Sequence, residues 1–453
     1  MHSPASLPAR RLPVDVDLAA VFTALATEAP TDAMGVFWLD AGADAASGWS
    51  YLGRGVVTAD ASAVRAQPLK GTGPTDPGLP PFRGGWIGWA GYEEGAAVAG
   101  APVAVDDTVP GQTWIGVTHL LAIDHANGVR WVLAPEHELD EWTAWLVSVD
   151  KGRPRAASAS SARVARARHG VDDYTALVER CRESIRAGDA YQLCLTTRFT
   201  VEDAPDPVQT YLRLRAVSPA HHGGFIRVGA HALLSASPEQ FLHVSGGVAR
   251  TRPIKGTRPR GATAEADARL ARELVESEKE RAENVMIVDL MRNDLSRVSE
   301  PGTIAVEALW AVESYPAVHQ LVSTVSGHLT AGVRVGDLID AIFPAGSMTG
   351  APKLSAMTIL HVLEAAPRGV YSGCFGFIGL DGEVDLAMVI RTIIYAAGTA
   401  SVGAGGGITW LSNPAEEAAE VATKARAPLA ALGAALPSEW SDLLQKQAVD
   451  GAR

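Results

Sequence analysis

The chain has 453 residues, 47% hydrophobic and 20% charged, enough to bury a sizeable core in one large domain or two to three ordinary ones. Its formal charge of -12 argues against general nucleic-acid binding, which needs a basic face. Cys181, Cys194 and Cys374 lack metal-ligand spacing, which argues against a disulfide framework or zinc site, and no apolar run suits a signal peptide or a membrane span.

A cytoplasmic protein with neither membrane nor nucleic acid as partner is expected. Residues 16–27 read as a helix, and 35–39 and 49–57 as strands, followed by a turn-rich segment at 71–81. PFRGGWIGWAGYEEG, residues 81–95, reads as a buried strand with close backbone approach. Strand-like alternation continues through 114–123 and 129–134. Residues 1–150 are read as one divergent N-terminal part, and the small, polar, basic run 151–168 as a linker or mobile loop. A catalytic part over 169–435 and a C-terminal tail over 436–453 complete the division.

Residues 172–187 have apolar positions at helical spacing behind a capping Asp172, and Gly188 ends the helix. The strand 190–199 carries Gln192 near its start, and a second strand, 232–239, ends in Glu239. TRPIKGTRPRG, residues 251–261, sets one lysine among prolines and glycines, a rigid frame that presents Lys255. Cationic neighbours or desolvation would lower its pKa and make it a nucleophile; alone it also reads as a solvated loop lysine. A turn near Gly246–Gly247 would bring Glu239 beside it as general acid or base.

The chain holds only seven lysines, and Lys255, Lys279, Lys353 and Lys424 fall inside motifs. Residues 263–291 read as one helix with Glu280 and Glu283 on the same face, followed by the polar run Arg292-Asn293-Asp294 in an apolar frame. His319 lies on an alternating strand, where a lone histidine is more often structural than catalytic. FPAGSMTGAPK, residues 343–353, is a glycine-punctuated loop whose amides suit an anion, feeding a helix from Lys353. Residues 369–396 read as two long strands, with Arg391 in the second needing a carboxylate partner. VGAGGGITW, residues 402–410, leads to a helix capped by Asn413 that sets Glu417, Glu420 and Lys424 on one face. Two acidic helix faces are what a small oxygen-loving cation needs, and Arg391 and Lys424 would hold a substrate carboxylate nearby.

From about Asp172 to Leu432 these motifs, in this order, resemble the chorismate-utilising enzymes, and PFRGGWIGWAGY resembles the N-terminal part of its anthranilate- and aminodeoxychorismate-forming members. The resemblance implies an α+β fold with two large β-sheets packed face to face and helices outside. It implies magnesium held by Glu283 and Glu420 with Glu280 and Glu417 in support. Substrate carboxylates would meet Arg391, Lys424 and the backbone amides of Gly405 and Gly407, and His319 and Thr349 would line the ring. Gln192 stands where the isochorismate- and salicylate-forming members carry a lysine that activates water, which argues against water addition. PIKGT stands where anthranilate-forming members usually have PIAGT. The implied enzyme is an aminotransferring synthase that aminates chorismate at carbon 4 on the route to para-aminobenzoate and folate. Its ammonia would come from a glutamine amidotransferase subunit. Anthranilate formation, or silent chorismate binding, are the alternatives.

Overall fold

A computed structural model describes residues 4–27, 31–58, 60–69, 78–149, 163–315 and 318–450, without the side chains of 446–450. Its strands are apolar on both faces because most lie between two cores. In Met34–Asp40, Val36 and Trp38 join the core under the helices, while Phe37 and Leu39 point into the core between the sheets. Period-2 alternation of side chains thus feeds two cores at once.

One layer runs Gln192–Val201, Thr399–Ile408, Thr392–Ala396, His231–Ser237, His222–Val228, Met34–Asp40, Trp49–Thr58 and Gln112–Asp124, each antiparallel to the next. The other runs Gly85–Ala90, Cys374–Gly379, Val384–Met388, Gln240–Ser245, Val248–Thr251, Val318–His328 and Ala305–Ser314. The 13-residue strand Gln112–Asp124 pairs with both Trp49–Thr58 and Gly85–Ala90, so the two layers are continuous in hydrogen bonding. They face each other: a methyl at Gly224 in the first layer would lie 2.5 Å from the ring of Phe375 in the second. The helices Leu18–Thr27, Val171–Ala187, Pro207–Val217 and Pro414–Ala431 pack on the first layer's outer side. Val335–Ile342 and Glu278–Ser296 pack against the second layer's core. The α+β expectation with two facing sheets and outer helices holds.

Several expectations need correction. PFRGGWIGWAGYEEG holds a strand only over Gly85–Ala90; Glu93 and Glu94 follow in the first turn of a helix, Tyr92–Val98. Asp172 lies in the first turn of Val171–Ala187, whose cap is Gly170. The long acidic helix is two, Ala264–Glu276 and Glu278–Ser296, broken at Ser277, whose hydroxyl caps the second. Residues 369–396 form three strands, with Arg391 at the break between Val384–Met388 and Thr392–Ala396.

The boundary at 150 does not separate two sheets, because Met34–Asp40 and Gly85–Ala90 pair with strands from the C-terminal part. Of the linker 151–168, residues 151–162 lie outside the described residues, while Arg163–Val164 and Arg166–Ala167 are short paired strands. The segment read as a tail contains the helix Ser438–Asp450. Trp440 is buried there, packs at a tilt on Tyr174 and edge-on to Phe199, and donates its indole N–H to the His169 carbonyl at 3.2 Å. An indole of that size removes more apolar surface from water than most side chains, which is why this end of the chain docks.

Candidate active site

Lys255 sits second in the strand Ile254–Pro259, and the next residue, Gly256, has φ 80°, a left-handed conformation that glycine takes without strain. The hairpin Gln240–Ser245 to Val248–Thr251 turns at Gly246–Gly247 as expected and returns the chain from Glu239 towards Lys255. Glu239 is buried, and desolvation pushes its pKa up to about 7, against the lowering pull of the Ser347 hydroxyl, Lys255 and Lys424. Burial alone would push the Lys255 ammonium pKa down, but Glu283, then Cys194, Glu239 and Glu420, push it up, and the net direction is up. Lys255 Nζ lies 3.7 Å from Glu283 Oε2. The expected lowering is therefore overturned: its neighbours are carboxylates, which favour the charged form.

Gly407 forms the wall opposite. A Cβ there would fall 2.3 Å from Gln192 Nε2 and 3.0 Å from Lys255 Nζ, so any larger residue would push those two side chains aside. Gln192 pairs across to Ala351, which brings the strand Gln192–Val201, the loop after Gly346–Thr349 and the strand Thr399–Ile408 to one place. Gly405 presents its carbonyl as well: Lys424 Nζ donates to it at 2.7 Å and lies 2.6 Å from Glu420 Oε1.

Arg391 adopts φ 52°, a conformation uncommon for a residue with a side chain and a recurrent mark of functional positions. Burial lowers its pKa while Glu420 and Tyr371 raise it, and among the described residues its guanidinium makes no hydrogen bond or ion pair. Such a cation suits an anionic ligand.

The four glutamates converge as pairs with cations. Lys279 Nζ lies 4.0 Å from Glu283 Oε1 and 3.6 Å from Glu417 Oε1, while Arg258 lies 3.5 Å from Glu280. Among the described residues no group of three or more His, Cys, Asp or Glu side chains gathers as metal ligands. Glu283 and Glu417, on different helices, nonetheless converge on one positive charge, and all-oxygen donors of this kind suit a hard divalent cation. Glu283 and Glu417 are buried, and burial raises the pKa of both. Glu420 is exposed, with its pKa held down by Lys424 first.

Two expected ring contacts are engaged elsewhere. His319 is buried, with Nδ1 2.8 Å from Ser314 Oγ and Nε2 2.9 Å from Asp267 Oδ1, so both ring nitrogens are occupied by protein partners. Thr349, fully buried, donates its hydroxyl to the Ala345 carbonyl at 3.2 Å and stabilises its own turn.

Sequence reading missed Arg368. Its guanidinium is buried against Glu364 (2.7 and 2.8 Å) and donates to the carbonyls of Met348 at 2.6 Å and Cys194 at 2.7 Å. Glu364 in turn accepts from the Thr196 amide and hydroxyl, both at 2.9 Å. This pair ties the Gly346–Thr349 turn to the strand that carries Gln192. The signal was present as two opposite charges four apart in the apolar frame HVLEAAPRGVY.

Backbone glycines, a buried acid, a strand lysine, paired carboxylates and an arginine with no side-chain partner among the described residues thus lie on neighbouring elements, a set of groups suited to an anionic ligand. The chain belongs to the chorismate binding enzyme family, whose pattern matches residues 34–430. It is 41% identical over 374 residues to an aminodeoxychorismate synthase of Streptomyces pristinaespiralis, covering 78% of this chain and 52% of that protein. It is 38% identical over 412 residues to anthranilate synthase component 1 of Streptomyces coelicolor, covering 85% and 80%. The chain spans about half the length of the Streptomyces pristinaespiralis relative. The crystal structure of anthranilate synthase component I from Streptococcus pneumoniae superposes with a TM-score of 0.72 at 26% identity, over 94% of this chain and 93% of that one. Among the described residues no helix is long and apolar enough to cross a membrane.

Proposed function

We propose that this site binds chorismate and replaces its ring hydroxyl at carbon 4 with an amino group, giving 4-amino-4-deoxychorismate for para-aminobenzoate and folate synthesis. The observation that carries this reading is Lys255, the lysine of PIKGT, placed against Gln192, Gly407 and Glu283. Ammonia comes from a glutamine amidotransferase partner. Three free, buried cysteines fit a reducing, cytoplasmic setting.

Arg391 and Lys424 meet the substrate carboxylates and, with the Gly405 and Gly407 backbone, fix the ring. Lys255, as the amine, attacks carbon 2 while the ring electrons shift and the hydroxyl leaves carbon 4, taking its proton from Glu239. Ammonia then bonds to carbon 4, the shift reverses, and Lys255 leaves carbon 2. The proton released by the new ammonium group returns to Glu239. Magnesium held by Glu283 and Glu420, with Glu280 and Glu417 in support, would neutralise the ring carboxylate when bound.

The starting form needs Lys255 neutral and Glu239 protonated, one proton between the two. Below pH about 7 the pair carries two, and Lys255 cannot be an amine. We therefore expect kcat/KM to rise as pH increases through about 7, and Glu239→Gln to lose that limb together with most activity. A wild-type profile that falls through the same range would rule out this proton assignment.

Amination at carbon 2, giving anthranilate, is the second reading. It is favoured by the 80% coverage of the Streptomyces coelicolor anthranilate synthase component 1, against 52% of the Streptomyces pristinaespiralis protein. Chorismate, magnesium and excess ammonium, with the product identified by mass and chromatography, separate the two. We expect 4-amino-4-deoxychorismate; anthranilate as the sole product would overturn the carbon-4 assignment.

A further inference from the structure

We propose that Lys279 is a displaceable internal counter-ion: its ammonium balances Glu283 and Glu417 while no divalent cation is bound and swings out to solvent when the cation those residues would help to hold arrives. The inference rests on the magnesium reading above.

Four observations carry it. Glu283 and Glu417 are buried carboxylates on separate helices, and two such charges need a compensating cation whenever no metal is present. Lys279 supplies it at 4.0 and 3.6 Å, within Coulomb contact but beyond hydrogen-bond length, so no directional bond holds it. Its side chain is 42% exposed, whereas those of Glu283 and Glu417 are 10% and 4% exposed: the lysine can leave and the acids cannot. Finally, Lys279 stands in the first turn of Glu278–Ser296, where the helix dipole disfavours a cation. Local helix electrostatics would place an acid there, so the opposite charge answers to the carboxylates.

Lys255 cannot serve the same purpose. It approaches the other oxygen of Glu283 and its side chain is only 13% exposed, fixed on a strand. Glu283 therefore divides its oxygens between a lysine fixed in place, on Oε2, and a removable one, on Oε1. The flexible four-carbon stem of lysine suits the removable position, since the head can reach water without any backbone shift.

The test is calorimetric titration of the full chain with magnesium chloride alone, for wild type, Lys279→Met and Lys279→Arg, each followed by thermal unfolding with and without magnesium. Removing the competing charge should tighten magnesium binding by about five-fold or more at low ionic strength, with the gain shrinking as salt rises. The metal-free Lys279→Met protein should melt earlier than wild type, and magnesium should raise its Tm by more. Lys279→Arg keeps the charge and should bind magnesium no tighter than wild type. Equal or weaker binding by Lys279→Met, or tighter binding by Lys279→Arg, overturns the counter-ion role while the magnesium reading stands. Absence of magnesium binding in all three proteins overturns both.

Discussion

Lys255→Ala is expected to lose 4-amino-4-deoxychorismate formation by roughly a thousand-fold or more, the scale of loss for a covalent nucleophile. The truncated side chain leaves Gln192, Gly407 and the proposed carboxylate-binding residues Arg391 and Lys424 in place, so chorismate should still bind. It also frees carbon 2, and ammonia entering there would give anthranilate. A switch of product is thus the sharpest outcome: it identifies Lys255 as both nucleophile and selector. Retained carbon-4 amination at near wild-type rate would remove the nucleophile role and leave Lys255 as a counter-charge for Glu283. The raised pKa of Lys255 sets a condition on this chemistry, because the resting enzyme holds it as ammonium among carboxylates. Conservative replacement by arginine should not restore activity, since a guanidinium stays charged.

Arg368→Met should cost about 3–5 kcal/mol of stability, the penalty for breaking a buried ion pair and leaving its partner charged. Glu364 would lose a bidentate partner at 2.7 and 2.8 Å and keep only the Thr196 donors. The carbonyls of Met348 and Cys194 would lose their donor too. Chemical denaturation measures the loss, and the Glu364→Leu, Arg368→Met double variant should recover part of it because no lone buried charge remains. A double variant as unstable as the sum of the two singles would mean that the carbonyl contacts, not the charge pair, dominate.

Legibility in the sequence divided by the range of the interaction. Helix starts carry their own chemistry, so Asn413 before Pro414 located the cap of Pro414–Ala431, and its side chain does accept from the amides of Ala415 and Glu416. The hairpin after Glu239 was readable from Gly246–Gly247 for the same local reason. The break at Ser277 was hidden because the acidic residues on both sides favour helix and one serine interrupts them weakly. Arg391 reads as mid-strand because its neighbours are apolar, and nothing in that apolar run marks the left-handed turn it makes between Val384–Met388 and Thr392–Ala396. For His319, the family pattern named the residue, but Asp267 lies 52 positions away, and nothing local announced that it would occupy the ring nitrogen. Lys279 stands out in sequence only as one of seven lysines; Glu283 lies four positions on in the same helix, but Glu417 is 138 residues away.

The interleaving of early and late strands has a consequence for the chain during synthesis. Met34–Asp40 waits for His222–Val228, and Gly85–Ala90 waits for Cys374–Gly379, before either finds its second neighbour. At ribosomal speeds of roughly 5–20 residues per second, those open edges persist for about ten seconds to a minute. Over that interval the nascent chain presents WLD and WIGWA backbones, rich in tryptophan and ready to pair with any passing strand. Holding chaperones would matter most between those two moments. The same interlock means that a split into two separately produced halves would leave each with raw sheet edges, so complementation should require the halves to meet before either collapses.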